Sequence, residues 1–341
     1  MKRTKKRKAF GAALGIAVAA LVLAACIATI IINCFVPVKY LSAYVVRAEE
    51  RNADELRITF LDVAFGDCSL VELPGGKTML IDGGNGDYDN MLSLLTLLNR
   101  RGVEKIDYLV CTSVKDEHCG GLSEVVLHKE IGAAYIPYCK NTRVTEEYHR
   151  LITALEEKDV PCITAQVGEG VSDGQNGWFF SFLSPVNSLS PNGEYAELNQ
   201  SATAVNIEKA SAVLWLEYGE NCFLFTSDAR VETLERIVTE YGLCRQLNQP
   251  YCAVDGHSVE LEKCDFLTVP GHGGESNTYA PFFDLVTPRH AVVSVGENFS
   301  GYPDSAALSN VYNYASPFYT KYDGDITVVA TSANYQIFKE K

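Results

Sequence analysis

The chain has no Cys-x-x-Cys pair, although it carries eleven cysteines among its 341 residues. That absence excludes zinc knuckles, zinc ribbons and thioredoxin-type redox motifs, all of which write their ligands or thiols at that spacing. There is also no dense basic run after residue 8. Six of the 29 Lys/Arg precede residue 9, and no Asp or Glu does, so the rest of the chain carries a formal charge of −20. A surface of that sign repels phosphate backbones, which argues against nucleic acid as a direct partner. No internal repeat and no low-complexity tract beyond the basic N-terminus is present, so a solenoid or a disordered scaffold is excluded as well.

The N-terminus differs in character from the rest. MKRTKKRK (1–8) is followed by a run of 24 uncharged residues (9–32). About 20 apolar residues suffice to cross a bilayer as a helix, and the basic flank sets the orientation. The expected layout is a cytoplasmic segment 1–8, a transmembrane signal-anchor 9–36, a polar linker 37–55 and an extracytoplasmic domain 56–341. This is the pattern of a single-pass protein of a bacterial cell membrane. Leu23-Ala24-Ala25-Cys26 also resembles a lipobox, so a lipoprotein anchored through Cys26, or a secreted chain, is the alternative.

Besides Cys26 and Cys34, which lie in or beside the apolar run, nine cysteines (68, 111, 119, 139, 162, 222, 244, 252, 264) include several inside apolar strand patterns, where Cys is a small core residue. LRITFLDV (56–63), CSLVEL (68–73) and KTMLID (77–82) read as strands, and 88–102 reads as a helix closing on Gly102. Strand IDYLVCT (106–112), strand 133–138, helix 145–159 with Thr145 as N-cap, and strand 178–185 inside a loop-rich stretch 166–200 follow. A hairpin at 210–219 and 221–228 leads into helix 229–242. Strands near 264 and 288–296, a helix near 304–315 and two strands near 325–338 close the chain. Strands and helices alternate irregularly, with a hairpin opening each half. The expectation is an α/β fold: a four-layer αββα sandwich of two mixed sheets, preceded by one transmembrane helix.

Several strand ends carry ionisable groups beside small residues: Asp82-Gly83-Gly84; Asp116, Glu117 and His118 before Gly120-Gly121; Asp228 after Thr226-Ser227; and His272 in Pro270-Gly271-His272-Gly273-Gly274. Glycine lets backbone approach an ion or substrate closely, and carboxylate plus imidazole suits zinc, manganese or iron. Each has a plain reading as well. Asp228 precedes a helix and so reads as its N-cap. Asp116 and Glu117 read as surface charge, a lone His in a glycine loop as structural, and Cys119 as core. His128, His149, His257 and His290 read as surface or structural residues.

The order of the segments is more telling than any one of them. FLDVAFGDCSLVELPGGKTMLIDGG, YLVCTSVKDEHCGG, LEYGENCFLFTSDA, VPGHGG and AVVSVGEN together resemble the metallo-β-lactamase fold. Within it they resemble the domain attached to the competence protein ComEC and its free-standing relatives, over about residues 56–338. The family's T-H-x-H-x-D-H-x-G-G aligns with Thr112 to Gly121. Ser113 then stands for the first His, Lys115 for the second His or Asp, and Glu117 for the Asp; only His118 is kept. Asp228 takes the place of the bridging Asp, His272 one of two histidines in P-H-H-G-S, and Tyr302 the His of G-H-P. The resemblance therefore implies a degenerate site. Its metal ligands would be Glu117, His118, Asp228 and His272, lined by Asp82, Ser113, Lys115, Gly271, Gly273 and Tyr302.

Three states remain open: one Zn or Mn ion at the surviving half-site; no metal, with the Lys115 ammonium paired to Asp228; or Asp116 and Cys119 as substitute ligands. Three functions correspond to them. The first is a weakly active or inactive hydrolase fold with a binding or accessory role. The second is a single-metal hydrolase of the phosphodiester type, with Asp228 or Asp116 as general base. The third is a non-catalytic accessory of DNA uptake. The membrane is the one partner the sequence names; a small-molecule or protein partner is left open.

Overall fold

In the computed structural model, residues 16–30, 38–186 and 193–341 are described. Among the described residues, fifteen strands form two sheets. The first comprises β1 (Leu56–Phe60), β2 (Ser69–Glu72), β3 (Thr78–Ile81), β4 (Lys105–Val110), β5 (Glu130–Ile136), β6 (Cys162–Thr164), β14 (Ile326–Ala330) and β15 (Tyr335–Lys339), in the order β15-β14-β1-β2-β3-β4-β5-β6. The second comprises β7 (Gly170–Asp173), β8 (Trp178–Ser184), β9 (Val213–Tyr218), β10 (Asn221–Phe225), β11 (Phe266–Thr268), β12 (His290–Val293) and β13 (Pro317–Tyr319), in the order β13-β12-β11-β10-β9-β8-β7. Both sheets are mixed. β3 to β6 and β10 to β13 run parallel, whereas the hairpin strands pair antiparallel.

Period-two side-chain alternation assigns each strand residue to one of two buried faces. In β8, Trp178, Phe180 and Phe182 join the core between the sheets, while Phe179 and Leu183 face the helices. In β2, Val71 points inward and Leu70 outward in the same way. Helices Tyr88–Arg100, Leu122–His128 and Glu146–Glu157 cover the outer face of the first sheet. Val231–Gln246, Ala280–Val286 and Ser305–Tyr312 cover that of the second. These are the four layers expected, and burial on both faces is why the strands read as apolar runs rather than clean alternation.

The caps clarify two sequence readings. The Thr145 side chain accepts from the Tyr148 amide, as expected, and Gly102 lies just past its helix at φ 64°. Asp228 is not a cap: the helix it precedes begins at Val231, with Arg230 at the N-cap and no side-chain cap bond. The stretch 166–200 holds more than one strand. Gly170–Asp173 and the helix Glu194–Gln200 lie within it, the latter set down by a small core of Tyr195, Leu198 and Ala210. Such short elements owe their existence to tertiary contacts that carry no periodic signal.

Part of the expected linker is docked. Val38–Tyr44 forms a 3₁₀ turn whose Tyr40 and Ala43 are buried, with Tyr40 stacked on Tyr88 and the Lys39 ammonium 2.6 Å from Glu124. Residues 16–30 are helical. At about 1.5 Å per residue they span roughly 22 Å against a hydrocarbon core of about 30 Å. Among the described residues no helix is long and apolar enough to cross a membrane. Residues 1–15 and 31–37, the remainder of the expected basic segment and anchor, lie outside the described residues.

Candidate metal centre

Parallel strands deliver their C-terminal ends to one side of a sheet, and five such ends meet here. β3 contributes Asp82, β4 the Thr112–His118 loop, β10 Asp228, β11 His272 and β12 Ser294. The two sheets are stitched at this point. The Ala212 amide donates to the Thr112 carbonyl at 2.8 Å, and the Thr112 and Ser227 hydroxyls lie 2.6 Å apart. Gly121 is required by close approach, because a Cβ there would stand 2.2 Å from the Gly83 carbonyl oxygen. His272 sits at φ 56°, a left-handed conformation that a non-glycine residue adopts at a cost of about 1–3 kcal/mol. The neighbouring Asn277 holds that turn in place by donating to the Asp228 carbonyl at 2.8 Å.

His118 is wholly buried on the one-turn helix Asp116–Cys119. Its Nδ1 donates to Asp82 Oδ2 at 2.9 Å, and Asp82 in turn accepts from the Thr112 amide at 2.7 Å. Its Nε2 faces Asp228 Oδ2 at 3.1 Å. The His272 Nδ1 donates to the Ser294 carbonyl at 2.8 Å, which leaves its Nε2 3.7 Å from Asp228 Oδ1. Each imidazole is thus oriented through one nitrogen, with the other turned to the same carboxylate. This is the arrangement that outer partners impose on metal-binding histidines. His118 Nε2, Asp228 Oδ2 and His272 Nε2 are all buried, and none has an aligned hydrogen bond. Asp228 Oδ2 is nevertheless ion-paired, with Lys115 at 2.8 Å and His118 at 3.1 Å, so only His272 Nε2 is left without a close partner; the set of two imidazoles and a carboxylate is one that suits a cation.

Lys115 reaches the same Asp228 oxygen that faces His118. Its Nζ lies 2.8 Å from Asp228 Oδ2, 3.0 Å from Glu208 Oε1 and 3.7 Å from Glu117 Oε1. Glu208 bridges onward to Arg230 at 2.9 Å. Burial raises the cost of charge on Asp228, but the His118 and Lys115 charges outweigh it and hold its pKa well below the carboxylate range. Burial likewise opposes charge on Lys115, and Asp228 and Glu208 reverse the effect, so its pKa rises. For His118, burial is overcome by Asp228 and Asp82, which keep the imidazole protonated well above its ordinary range when no metal is bound. Burial pushes Asp82 up in spite of its His118 partner. A divalent ion about 4 Å from the Lys115 ammonium would be opposed by about 8 kcal/mol at an effective dielectric of 20, before the carboxylates offset part of it.

The structure brings together Asp82, Lys115, Glu117, His118, Asp228 and His272. Glu117, His118 and Asp228 offer ligand atoms within 4.8 Å of one another, as do Asp67, His118 and His272. Ser113 is buried beneath the loop, its hydroxyl accepting from the Lys115 amide at 3.4 Å. Gly271 and Gly273 shape the turn around His272, and Tyr302 flanks it through Phe65, whose ring centroid is 4.5 Å from that of His272. Asp116 is not gathered in: it is exposed and forms no ion pair with the cluster. Cys119 is packed in the core beneath the first sheet. The four remaining histidines lie outside the cluster; His290, for example, meets the Tyr335 hydroxyl at 2.9 Å.

Asp67, Glu208 and Arg230 were missed from the sequence. Asp67 stands in the Phe65-Gly66-Asp67 turn, next to a glycine whose Cβ would collide with the Glu117 carbonyl at 2.4 Å, a close approach that only the tertiary structure reveals. Glu208 comes from the helix Ala204–Lys209, in a region with no motif.

No family model matches the chain. It is similar to ComE operon protein 3 of Bacillus subtilis (strain 168), with 20% identity over 263 residues. That stretch is 72% of this chain and 29% of the relative, so the chain spans less than a third of that protein's length. Among solved structures it is similar to the metallo-β-lactamase fold protein YhfI from Bacillus subtilis, with 10% identity, a TM-score of 0.46, and 83% of this chain and 99% of that one covered. It is also similar to CmlA, a diiron β-hydroxylase from Streptomyces venezuelae, with 13% identity, a TM-score of 0.47, and 83% and 55% covered.

Proposed function

We propose, for a chain that resembles ComEC-like proteins of the metallo-β-lactamase fold, that one of the family's two metal positions is taken by a lysine. On this reading it is a membrane-anchored extracytoplasmic protein, weakly active or inactive as a hydrolase, with a binding or accessory role. The supporting observation is the Lys115 Nζ, 2.8 Å from Asp228 and shared with Glu208 and Glu117. A covalently attached cation leaves no open coordination position there, and so removes half of the charge stabilisation that a two-metal site offers a developing anion. The basic residues 1–8 and the apolar run 9–32 support the anchor.

The convergence of Glu117, His118 and Asp228, with ligand atoms within 4.8 Å of one another, and the unpartnered His272 Nε2 beside them favour a second reading, a single-metal hydrolase of the phosphodiester type. Glu117, His118, Asp228 and His272 would hold one Zn or Mn ion, whose chemistry is to acidify a bound water. Asp82 and the Ser294 carbonyl would fix the two imidazoles for it. Asp228, ion-paired and depressed in pKa, is a poor general base, and exposed Asp116 stands apart.

Metal content of the full-length chain, purified without a metal-binding tag, separates the cases. The expected result is at most one ion per chain in the wild type, lost in His118→Ala with His272→Ala, and a second ion gained in Lys115→His. Two ions in the wild type would overturn the proposal.

A further inference from the structure

Beside the metal centre, on the far side of Tyr302, a cavity of about 390 Å³ is walled by Tyr302, Tyr312, Tyr319 and Tyr322, with Lys321 at its side and Val295 and Leu308 beneath. Its size falls within the range of small-molecule sites, roughly 300–1,000 Å³. Among the described residues no carboxylate or carboxamide lines it. That is notable in a chain whose acidic residues outnumber its basic ones 43 to 29. Tyr312 and Tyr322 are 57% and 66% exposed, so the phenol faces are open to a ligand rather than consumed in the core. Tyr319 and Tyr322 meet edge to face at 5.8 Å, and the Tyr312 and Tyr319 hydroxyls lie 2.8 Å apart. Lys321 lies 5.6 Å over the Tyr322 ring and, among the described residues, its one ion pair is with Glu297, a residue 92% exposed in its side chain, at 2.8 Å. A pair so exposed is worth little and yields readily to a competing anion.

We infer that this cavity binds an aromatic ring carrying an anionic group, an aryl carboxylate or aryl phosphate, with the ring against the phenols and the anion on Lys321. A sugar is disfavoured because its hydroxyls want the paired acceptors of carboxylates and carboxamides, which the lining lacks. A cation is disfavoured by Lys321. Tyr302 joins the cavity to the centre through Phe65 and His272, so a ligand seated here lies next to the metal half-site.

The test is ligand-observed NMR titration of the full-length chain with benzoate, phenyl phosphate, phenol, acetate and methyl phosphate. Benzoate should bind about tenfold more tightly than acetate, and phenyl phosphate than methyl phosphate, as two ring contacts provide. The paired substitution Tyr312→Ala and Tyr322→Ala, at exposed positions, should abolish that advantage. Lys321→Met should weaken both aryl anions about tenfold while leaving phenol binding unchanged. His118→Ala with His272→Ala should leave the ring preference intact, so failure of the metal reading does not touch this one. Equal affinity for aryl and methyl probes, or a ring preference that survives the double tyrosine variant, would overturn the inference.

Discussion

If Lys115 is a built-in cation, then replacing it with the near-isosteric Lys115→Met should do more than remove a surface charge. The side chain is 22% exposed, and Asp228 beside it is 2% exposed. Breaking a buried ion pair by deleting one partner costs about 3–5 kcal/mol, because the other charge remains without compensation. Here the protonated His118, 3.1 Å from Asp228, covers part of the loss, which places the expectation near the lower end, about 3 kcal/mol. The sign with pH follows from the raised pKa: Lys115 contributes its full stabilisation below the ordinary lysine range and loses it only as pH climbs through the elevated value, so at pH 7 the whole effect is present. In urea, with a slope of about 3 kcal/mol/M, the midpoint should fall by about 1 M in the presence of chelator. Added Mn²⁺ or Ca²⁺ at about 100 times its dissociation constant should return about 2.7 kcal/mol, so the gap between variant and wild type nearly closes. A midpoint within about 0.2 M of wild type in chelator, or a gap indifferent to divalent ions, would refute the idea that the ammonium stands in a cation site.

Two further outcomes follow from the same geometry. Asp82→Asn removes the negative charge behind His118 while leaving only a neutral amide to accept from it, and should weaken metal binding about 10–100-fold in a chelator competition assay, with no direct ligand lost. Glu124 is pushed down to about 2, first by its hydrogen bond with His128 and then by Lys39. Its contribution is therefore present above the ordinary glutamate range and lost as pH falls from about 4.5 towards 2. Glu124→Gln should flatten that part of the acid-denaturation curve, and an unchanged slope between those limits would count against the docking of Val38–Tyr44 through Lys39.

Much of the architecture was legible because burial leaves a periodic trace. The strands at 56–63, 68–73 and 77–82, the long helices and the closing strand pair emerged from apolar spacing and turn residues, and each lies within a few residues of its expected place. The short elements did not. Gly170–Asp173 and Glu194–Gln200 lack a periodic face of their own and are held by Tyr195, Leu198 and Ala210 packing against distant strands.

The site divides along the same physical line. The sequence by itself supplied Glu117, His118, Asp228 and His272 as candidates, and set Lys115 and Ser113 beside them in the same loop, because those facts are residue identities in an order. Whether Asp228 capped a helix or faced a cation was not written there, since the same Ser-Asp-Ala stretch serves both; the strand end and the Arg230 cap decided it. That Glu208 would complete the Lys115 cluster, and that Asp116, next to Glu117 in the chain, would point into solvent, were also tertiary outcomes. Charges separated by 93 residues meet only when two sheets close on each other, and neighbours on a helical turn face in different directions.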